Sequence, residues 1–239
     1  MKIWRSFGAS VTGPGHIAAG KPNQDAWASF HHVWGDGLVV SDGLGSKPFS
    51  NFGSHAACLA VAHSLYRFRE DTDSNRSVLS ELIRNKWISL LKPLTPRDCA
   101  ATCLFAYRMN DGMVLMGMLG DGLVAALRVD GSVMSLSEDK SEGFSNTTSA
   151  LSPHTTSADW QWLSVSEMEC QSVFLCTDGV ADDLSDRTGF IRGFYDANRE
   201  LSSISSARRA RDMLRNWPTP KHSDDKTIAC LFKEEMMDE

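Results

Sequence analysis

Leu38-Val39-Val40-Ser41-Asp42-Gly43-Leu44-Gly45-Ser46 decides how the rest of the chain is read. A short apolar, β-branched run halts at an aspartate and glycines follow, the pattern of a buried strand that delivers one carboxylate to a turn. The device recurs. Val173-Phe174-Leu175-Cys176-Thr177 runs into Asp178-Gly179, and Met113-Val114-Leu115-Met116-Gly117-Met118-Leu119-Gly120 runs into Asp121-Gly122. If these strand ends meet, their carboxylates repel one another unless a cation lies between them. Asp-Gly is also the commonest hairpin-turn signal, because both residues tolerate positive φ. On that ground Asp36-Gly37, Asp111-Gly112 and Asp130-Gly131 read as plain turns. Asp121 stays open to both readings, since Leu123-Val124-Ala125-Ala126-Leu127 follows it as a candidate return strand.

Outward from Asp42 toward the N-terminus, the pattern gives a strand from Ile3 to about Ser10 and a loop over Val11–Ile17. A strand from Ala26 to Val33 and a turn at Gly35-Asp36-Gly37 complete an antiparallel hairpin. Toward the C-terminus, apolar residues at a 3.6 period predict helices over Asn51–Arg69 and Ser77–Leu91, the second ended by Pro93 and Pro96. Two helices after a set of strands imply a helical layer on a sheet. Residues from Ala100 to Leu136 read as a β-meander with strands Ala101–Tyr107, Met113–Leu119, Leu123–Val129 and Val133–Leu136. Ser137 to Ser157 is Ser/Thr-rich and aperiodic, long enough to be a lid or binding loop. Strands Trp160–Val165 and Val173–Thr177 follow, then helices over about Asp186–Asn198 and Ser203–Trp217, and a last strand, Thr227–Phe232. The acidic end, 233–239, is expected to fray. Arg208, Arg209 and Arg211 read as a solvated helix face.

The chain of 239 residues is read as one domain over 1–239, large enough for a substantial core. A net charge of −6 gives no basic footprint for nucleic acid. No apolar run reaches the length of a membrane span, and no h-region follows Met1, so neither a membrane segment nor a secretory signal is expected. The six cysteines include no Cys-x-x-Cys pair, and Cys58, Cys103, Cys176 and Cys230 lie in apolar segments. Reduced core thiols in a cytoplasmic protein are expected, not a disulfide framework or a zinc site.

A further acid-rich stretch, Ser223-Asp224-Asp225-Lys226-Thr227, precedes the last strand, and Asp25 opens an earlier one. The candidate cluster is therefore Asp25, Asp42, Asp121, Asp178 and Asp224. An all-oxygen set favours hard ions, Mg²⁺ or Mn²⁺, over Zn²⁺. Two such ions activate a shared water and clamp a phosphoryl oxygen for in-line hydrolysis.

The ordered set Asn23-Gln24-Asp25, Ser41-Asp42-Gly43-Leu44-Gly45, Gly120-Asp121-Gly122, Cys176-Thr177-Asp178-Gly179 and Asp224-Asp225-Lys226-Thr227 resembles the PP2C-type (PPM) metal-dependent Ser/Thr protein phosphatases, above all their small, divergent bacterial branch. The similarity runs from about Gly13 to Leu231. It implies an α+β fold, a four-layer α-β-β-α sandwich of two antiparallel sheets flanked by helix pairs. It implies that Asp42 bridges two Mn²⁺ or Mg²⁺ ions and that Gly43 lends one of them its carbonyl. Asp178 and Asp224 hold the other, Asp25 binds through water, and Asp121 shares a weaker third site with Asp178. A metal-bridging water then attacks phosphoserine or phosphothreonine directly. The loop 141–157 takes the place of the family's flap. A phosphorylated protein substrate, a cognate Ser/Thr kinase and a monomeric state are the implied partnership.

The pattern departs from the family in three places. The phosphate-gripping arginine five residues before Asp25 is Gly20 here, with Lys21 beside it. Lys21 is a point charge without the bidentate fork of arginine. His16 is a second candidate, as phosphate contact or general acid, or simply a hydrogen-bonded loop histidine. Gln24 stands where a glutamate is common. Asp224-Asp225 replaces Asp-Asn, with Asp224 favoured as ligand by its spacing to Thr227. These departures keep two other readings in play: a catalytically weak module that binds a phosphoprotein or kinase, and a small-molecule phosphoesterase.

Overall fold

The computed structural model describes residues 3–68, 75–137, 149–218 and 223–234. Two five-stranded antiparallel sheets lie face to face. One has the order β1 (Ile3–Val11), β10 (Lys226–Glu234), β9 (Cys170–Cys176), β6 (Leu123–Arg128), β7 (Val133–Ser137). The other runs β2 (Asp25–His32), β3 (Gly35–Asp42), β4 (Cys103–Met109), β5 (Met113–Leu119), β8 (Gln161–Ser166). Helices α2 (Ser50–Phe68) and α3 (Arg76–Leu90) cover the β3 sheet, and α5 (Arg187–Asn198) and α6 (Ser203–Arg215) cover the β10 sheet. Two short helices, α1 (Pro14–Ala18) and α4 (Asp178–Ala181), complete the set. This is the expected four-layer α+β sandwich.

Four layers explain the unbroken apolar runs. Leu38 and Val40 face the other sheet, packing with Leu104, Val124, Leu175 and Leu231, while Val39 between them faces α2 and α3. In β10, Ala229 and Leu231 point between the sheets, and Ile228, Cys230 and Phe232 point at α5 and α6. Strands buried on both faces lose the apolar–polar alternation of a half-exposed sheet, antiparallel though they are. Trp87 of α3 is fully buried and donates from Nε1 to the Gly53 carbonyl at 3.0 Å, locking the two helices together. Arg208, Arg209 and Arg211 are exposed, as expected, while Ala210 and Leu214 bury the opposite face of α6.

Some expectations are corrected. The segment from Ala100 to Leu136 is not one meander: β4 and β5 belong to one sheet, β6 and β7 to the other. Gly120-Asp121-Gly122 is therefore a crossover between sheets and not a hairpin turn, and Leu123–Arg128 returns on β9. Asp36-Gly37 is not a turn either. Asp36 pairs with His31 inside the β2–β3 ladder, and its carboxylate accepts from Arg108 Nε at 2.7 Å and from His31 Nδ1 at 2.7 Å. The turn falls at Val33-Trp34, where aromatic packing of Trp34 against Tyr107, Tyr66 and Phe30 overrides the weaker local preference. The loop over Val11–Ile17 contains α1, started by Pro14 at its first turn. β10 continues through Lys233 and Glu234, paired with Trp4 and Ile3, so only 235–239 of the expected tail lies outside the described residues. The proposed flap, 141–157, falls outside them over 141–148; its remainder holds Leu151, which bridges Ala101. Among the described residues no helix is long and apolar enough to cross a membrane.

Candidate metal centre

The carboxylates gather where the two sheets meet at one end. Asp42 is the last residue of β3 and lies opposite Asp25, the first of β2. Asp178 opens α4 directly after β9, and Asp224 lies two residues before β10. Asp121 sits in the crossover between the sheets. Positive φ at Gly120 (97°) and Gly122 (114°) lets the chain turn there, in a region that L side chains rarely adopt. Carboxylate oxygens of Asp42, Asp121 and Asp178 lie within 4.8 Å of one another.

Burial and mutual repulsion dominate the electrostatics. Loss of solvent is the main cause that lifts the Asp42 carboxyl well above its usual range, and the charges of Asp25, Asp178 and Asp224 add to it. Burial lifts Asp178 to about 6, with Asp121, Asp224 and Asp182 contributing. Burial lifts Asp25 to about 7, although Thr227, Asp42 and Thr177 hydrogen-bond to it and pull the other way. Thr177 Oγ1 donates to Asp25 Oδ2 at 2.9 Å. Carboxylates crowded this closely form the donor set of a hard divalent cation. The residues therefore fit Mg²⁺ or Mn²⁺.

Backbone geometry around the cluster is set by buried hydroxyls that carry no motif. Thr102 brackets Asp42: its N–H donates to the Asp42 carbonyl at 2.7 Å, and its Oγ1 accepts from the Asp42 N–H at 2.9 Å. Ser41 Oγ donates to the Thr102 carbonyl. Thr177 Oγ1 also accepts from the Thr227 N–H, tying β9 to β10 beside Asp178. Gly43 donates its N–H to the Gln24 carbonyl, and a Cβ on Gly43 would meet the Ser50 backbone at 2.6 Å. Only glycine fits under the start of α2. Nothing in the pattern near Thr102 announces its role, because a threonine before an apolar strand is common.

The two neighbouring aspartates separate cleanly. Asp225 is 2% exposed; Oδ1 accepts from the Gly13 N–H at 2.7 Å, and Oδ2 accepts from the Gln24 N–H at 2.6 Å. Asp224 is half-buried and electrostatically coupled to Asp42 and Asp178. His16 Nδ1 lies 2.8 Å from Asp225 Oδ2, and its Nε2 lies 3.9 Å from Asp224 Oδ1. Lys21 is exposed, and no described contact joins its side chain to the carboxylates. Gln24 donates from Nε2 to Ser50 Oγ, but its buried Oε1 has no hydrogen-bond partner.

Two paired sheets thus carry an all-aspartate cluster at one end. The chain belongs to the protein phosphatase 2C family, whose model matches residues 12–217. Solved structures agree in fold. A bacterial serine phosphatase superposes with a TM-score of 0.71 at 14% identity, covering 99% of this chain and 100% of the other. The catalytic domain of the serine/threonine protein phosphatase PstP, in complex with two manganese ions, gives 0.62 at 16% identity, covering 98% and 100%. RsbX in complex with magnesium gives 0.61 at 14% identity, covering 97% and 96%. Among curated proteins, no sequence matches the chain closely enough to count as a relative.

Proposed function

We propose that this protein hydrolyses phosphoserine and phosphothreonine on proteins, with two Mn²⁺ or Mg²⁺ ions held by Asp25, Asp42, Asp178, Asp224 and the Gly43 carbonyl, and Asp121 serving a third, weaker site. The observation that carries the reading is the convergence of Asp42, Asp121 and Asp178 within 4.8 Å at the seam of a PP2C fold. When bound, the ions neutralise the carboxylates, acidify water and offset charge on the phosphoryl group. The chain's own part is placement. Asp42 and Asp25 are fixed as cross-strand partners, Thr102 holds the Asp42 backbone on both sides, and Thr177 holds the Asp25 carboxyl. All six cysteines are buried and free, which supports a reducing compartment and hence a cytoplasmic protein; a Ser/Thr kinase as its counterpart rests on the family alone.

Substrate grip is the unusual part. Gly20 is exposed at positive φ (64°), and Lys21 supplies the nearest substitute charge in sequence. That exposure favours a second reading, a catalytically weak module that retains a phosphoprotein. Release of phosphate from a phosphothreonine peptide, measured with Mn²⁺ and with EDTA, separates the two. Metal-dependent release is expected from the wild type and none from Asp42→Ala. Asp178→Asn should lose at least ~100-fold in turnover. Near wild-type turnover in Asp42→Ala would overturn the two-metal assignment. Folded protein that binds Mn²⁺ without releasing phosphate would establish the binding module.

A further inference from the structure

His16 stands against an otherwise all-oxygen cluster, and its surroundings determine what its ring presents. Asp225 is nearly solvent-free and already accepts the N–H groups of Gly13 and Gln24. A carboxylate in that position acts as an acceptor, so the ring donates from Nδ1 across the 2.8 Å contact. In the tautomer with its single proton on Nδ1 the lone pair lies on Nε2, which faces Asp224 Oδ1 at 3.9 Å. That distance is too long for a hydrogen bond. In that tautomer Nε2 and the Asp224 oxygen are two acceptors facing each other across a gap. A gap of this size is spanned by one cation bonded at about 2.1 Å to each. A buried carboxylate on the far ring nitrogen is also the arrangement that orients metal-binding imidazoles.

We propose that His16, through Nε2, ligates the ion held by Asp224 and Asp178, with Asp225 as its positioning carboxylate. The proposal rests on the metal-centre reading above and adds a nitrogen donor to it. One consequence is selectivity. An imidazole raises affinity for Mn²⁺, Fe²⁺ and Co²⁺ relative to Mg²⁺, which binds oxygen almost exclusively. A second is that Asp225, although adjacent to Asp224, acts without touching the ion. It also supplies the link between α1 and β2, because the same carboxylate holds Gly13, His16 and Gln24.

The test is pulsed EPR on the full chain loaded with Mn²⁺ alone, alongside calorimetric titration of Mn²⁺ and of Mg²⁺. The wild type should show a ¹⁴N hyperfine coupling typical of imidazole. His16→Leu should lose it, and its preference for Mn²⁺ over Mg²⁺ should fall at least ~10-fold. His222→Ala, a control for the histidine two residues before Asp224, should keep the coupling. If His16→Leu does not fold, the wild type and the His222→Ala control still decide the question. Tight, Asp42-dependent Mn²⁺ binding without nitrogen coupling would overturn the proposal and leave the metal centre standing. Loss of the coupling in His222→Ala would overturn it as well. A folded wild type that binds no Mn²⁺ would overturn both the proposal and the metal centre.

Discussion

Replacing Asp42 by asparagine should abolish metal-dependent hydrolysis and, in the absence of metal, make the protein more stable. Three buried carboxyls set the balance. Asp178 moves from 3.8 to about 6 and Asp25 from 3.8 to about 7, both chiefly because burial disfavours their charged forms, and Asp42 rises well above its usual range. A raised carboxyl pKa means that the folded state binds its proton more tightly than the unfolded chain. That stability is fully present below the unfolded value of 3.8 and is lost as pH climbs through about 6 and about 7. Taken singly, the Asp178 shift corresponds to about 3 kcal/mol and the Asp25 shift to about 4 kcal/mol. The two sites share neighbours, so they do not add. These carboxyls by themselves should therefore cost metal-free protein on the order of 4 kcal/mol between pH 4 and pH 8. For a chain of this size that is a fall of roughly 10 °C in Tm. Asp42→Asn removes a carboxyl whose ionisation is opposed by burial and by the charges of Asp25, Asp178 and Asp224, so the variant escapes that carboxyl's own share of the loss. Thermal unfolding in EDTA at pH 5, 6, 7 and 8, wild type against variant, isolates the effect, because titrating groups remote from the cluster cancel in the difference. The variant's advantage should grow with pH, and Mn²⁺ should reverse the order by stabilising only the wild type. A difference that stays flat from pH 5 to 8, or a variant less stable than wild type at pH 8 in EDTA, would refute the reasoning.

Other expectations follow from single residues. Asp225→Ala leaves the buried Gly13 and Gln24 amides without their acceptor and should destabilise by at least about 3 kcal/mol in urea titrations, even with Mn²⁺ withheld. Gly43→Ala forces a Cβ to within 2.6 Å of the Ser50 backbone, so either the start of α2 or the Gly43 carbonyl must shift. Mn²⁺ affinity by calorimetry should drop at least ~10-fold, and unchanged affinity would remove Gly43 from the ligand set. Trp87→Ala opens a cavity between α2 and α3 and strands the Gly53 carbonyl; a loss of about 3–5 kcal/mol is expected by chemical denaturation, with Mn²⁺ affinity preserved in the folded fraction.

The fold was legible because the helix pairs and the strands announce themselves through different periods. α2 and α3 follow a 3.6 repeat that Pro93 terminates, and the strands appear as short apolar runs between glycines. Sheet membership was not legible. β5 and β6 are separated by three residues, the spacing of a hairpin, yet they lie in different sheets. Local turn chemistry cannot reveal this, because Gly120 and Gly122 supply positive φ equally to a hairpin and to a crossover. What decides is burial on both faces. Met116 and Met118 of β5 meet Val124 and Ala126 of β6 across the space between the sheets, a contact made only when the chain steps from one layer to the next. Asp36 was misread for a related reason. Its partners, Arg108 and His31, are supplied by tertiary structure, and with them a turn-former becomes a strand residue.

The same crossover explains why this end of the sandwich carries the acidic cluster. A strand that ends in Asp-Gly within one sheet merely turns. A chain that steps between sheets at Asp121, close to where β3 ends in Asp42 and α4 opens at Asp178 after β9, brings carboxylates from both layers to one edge. Folding then concentrates negative charge where the core is already dry, at an energetic cost visible in the raised pKa values of Asp25, Asp42 and Asp178. Sequence alone could name these acids, since each closes or opens an apolar run. It could not name Thr102 or distinguish Asp225 from Asp224, because those roles depend on hydrogen bonds between residues tens to hundreds of positions apart. Asp225 reaches Gly13 and Gln24, and Thr102 reaches Asp42. The aspartates supply the charge, and these distant partners fix its position. Removing Asp42 or Asp178 should therefore spare the fold and abolish metal binding, whereas removing Asp225 should damage both.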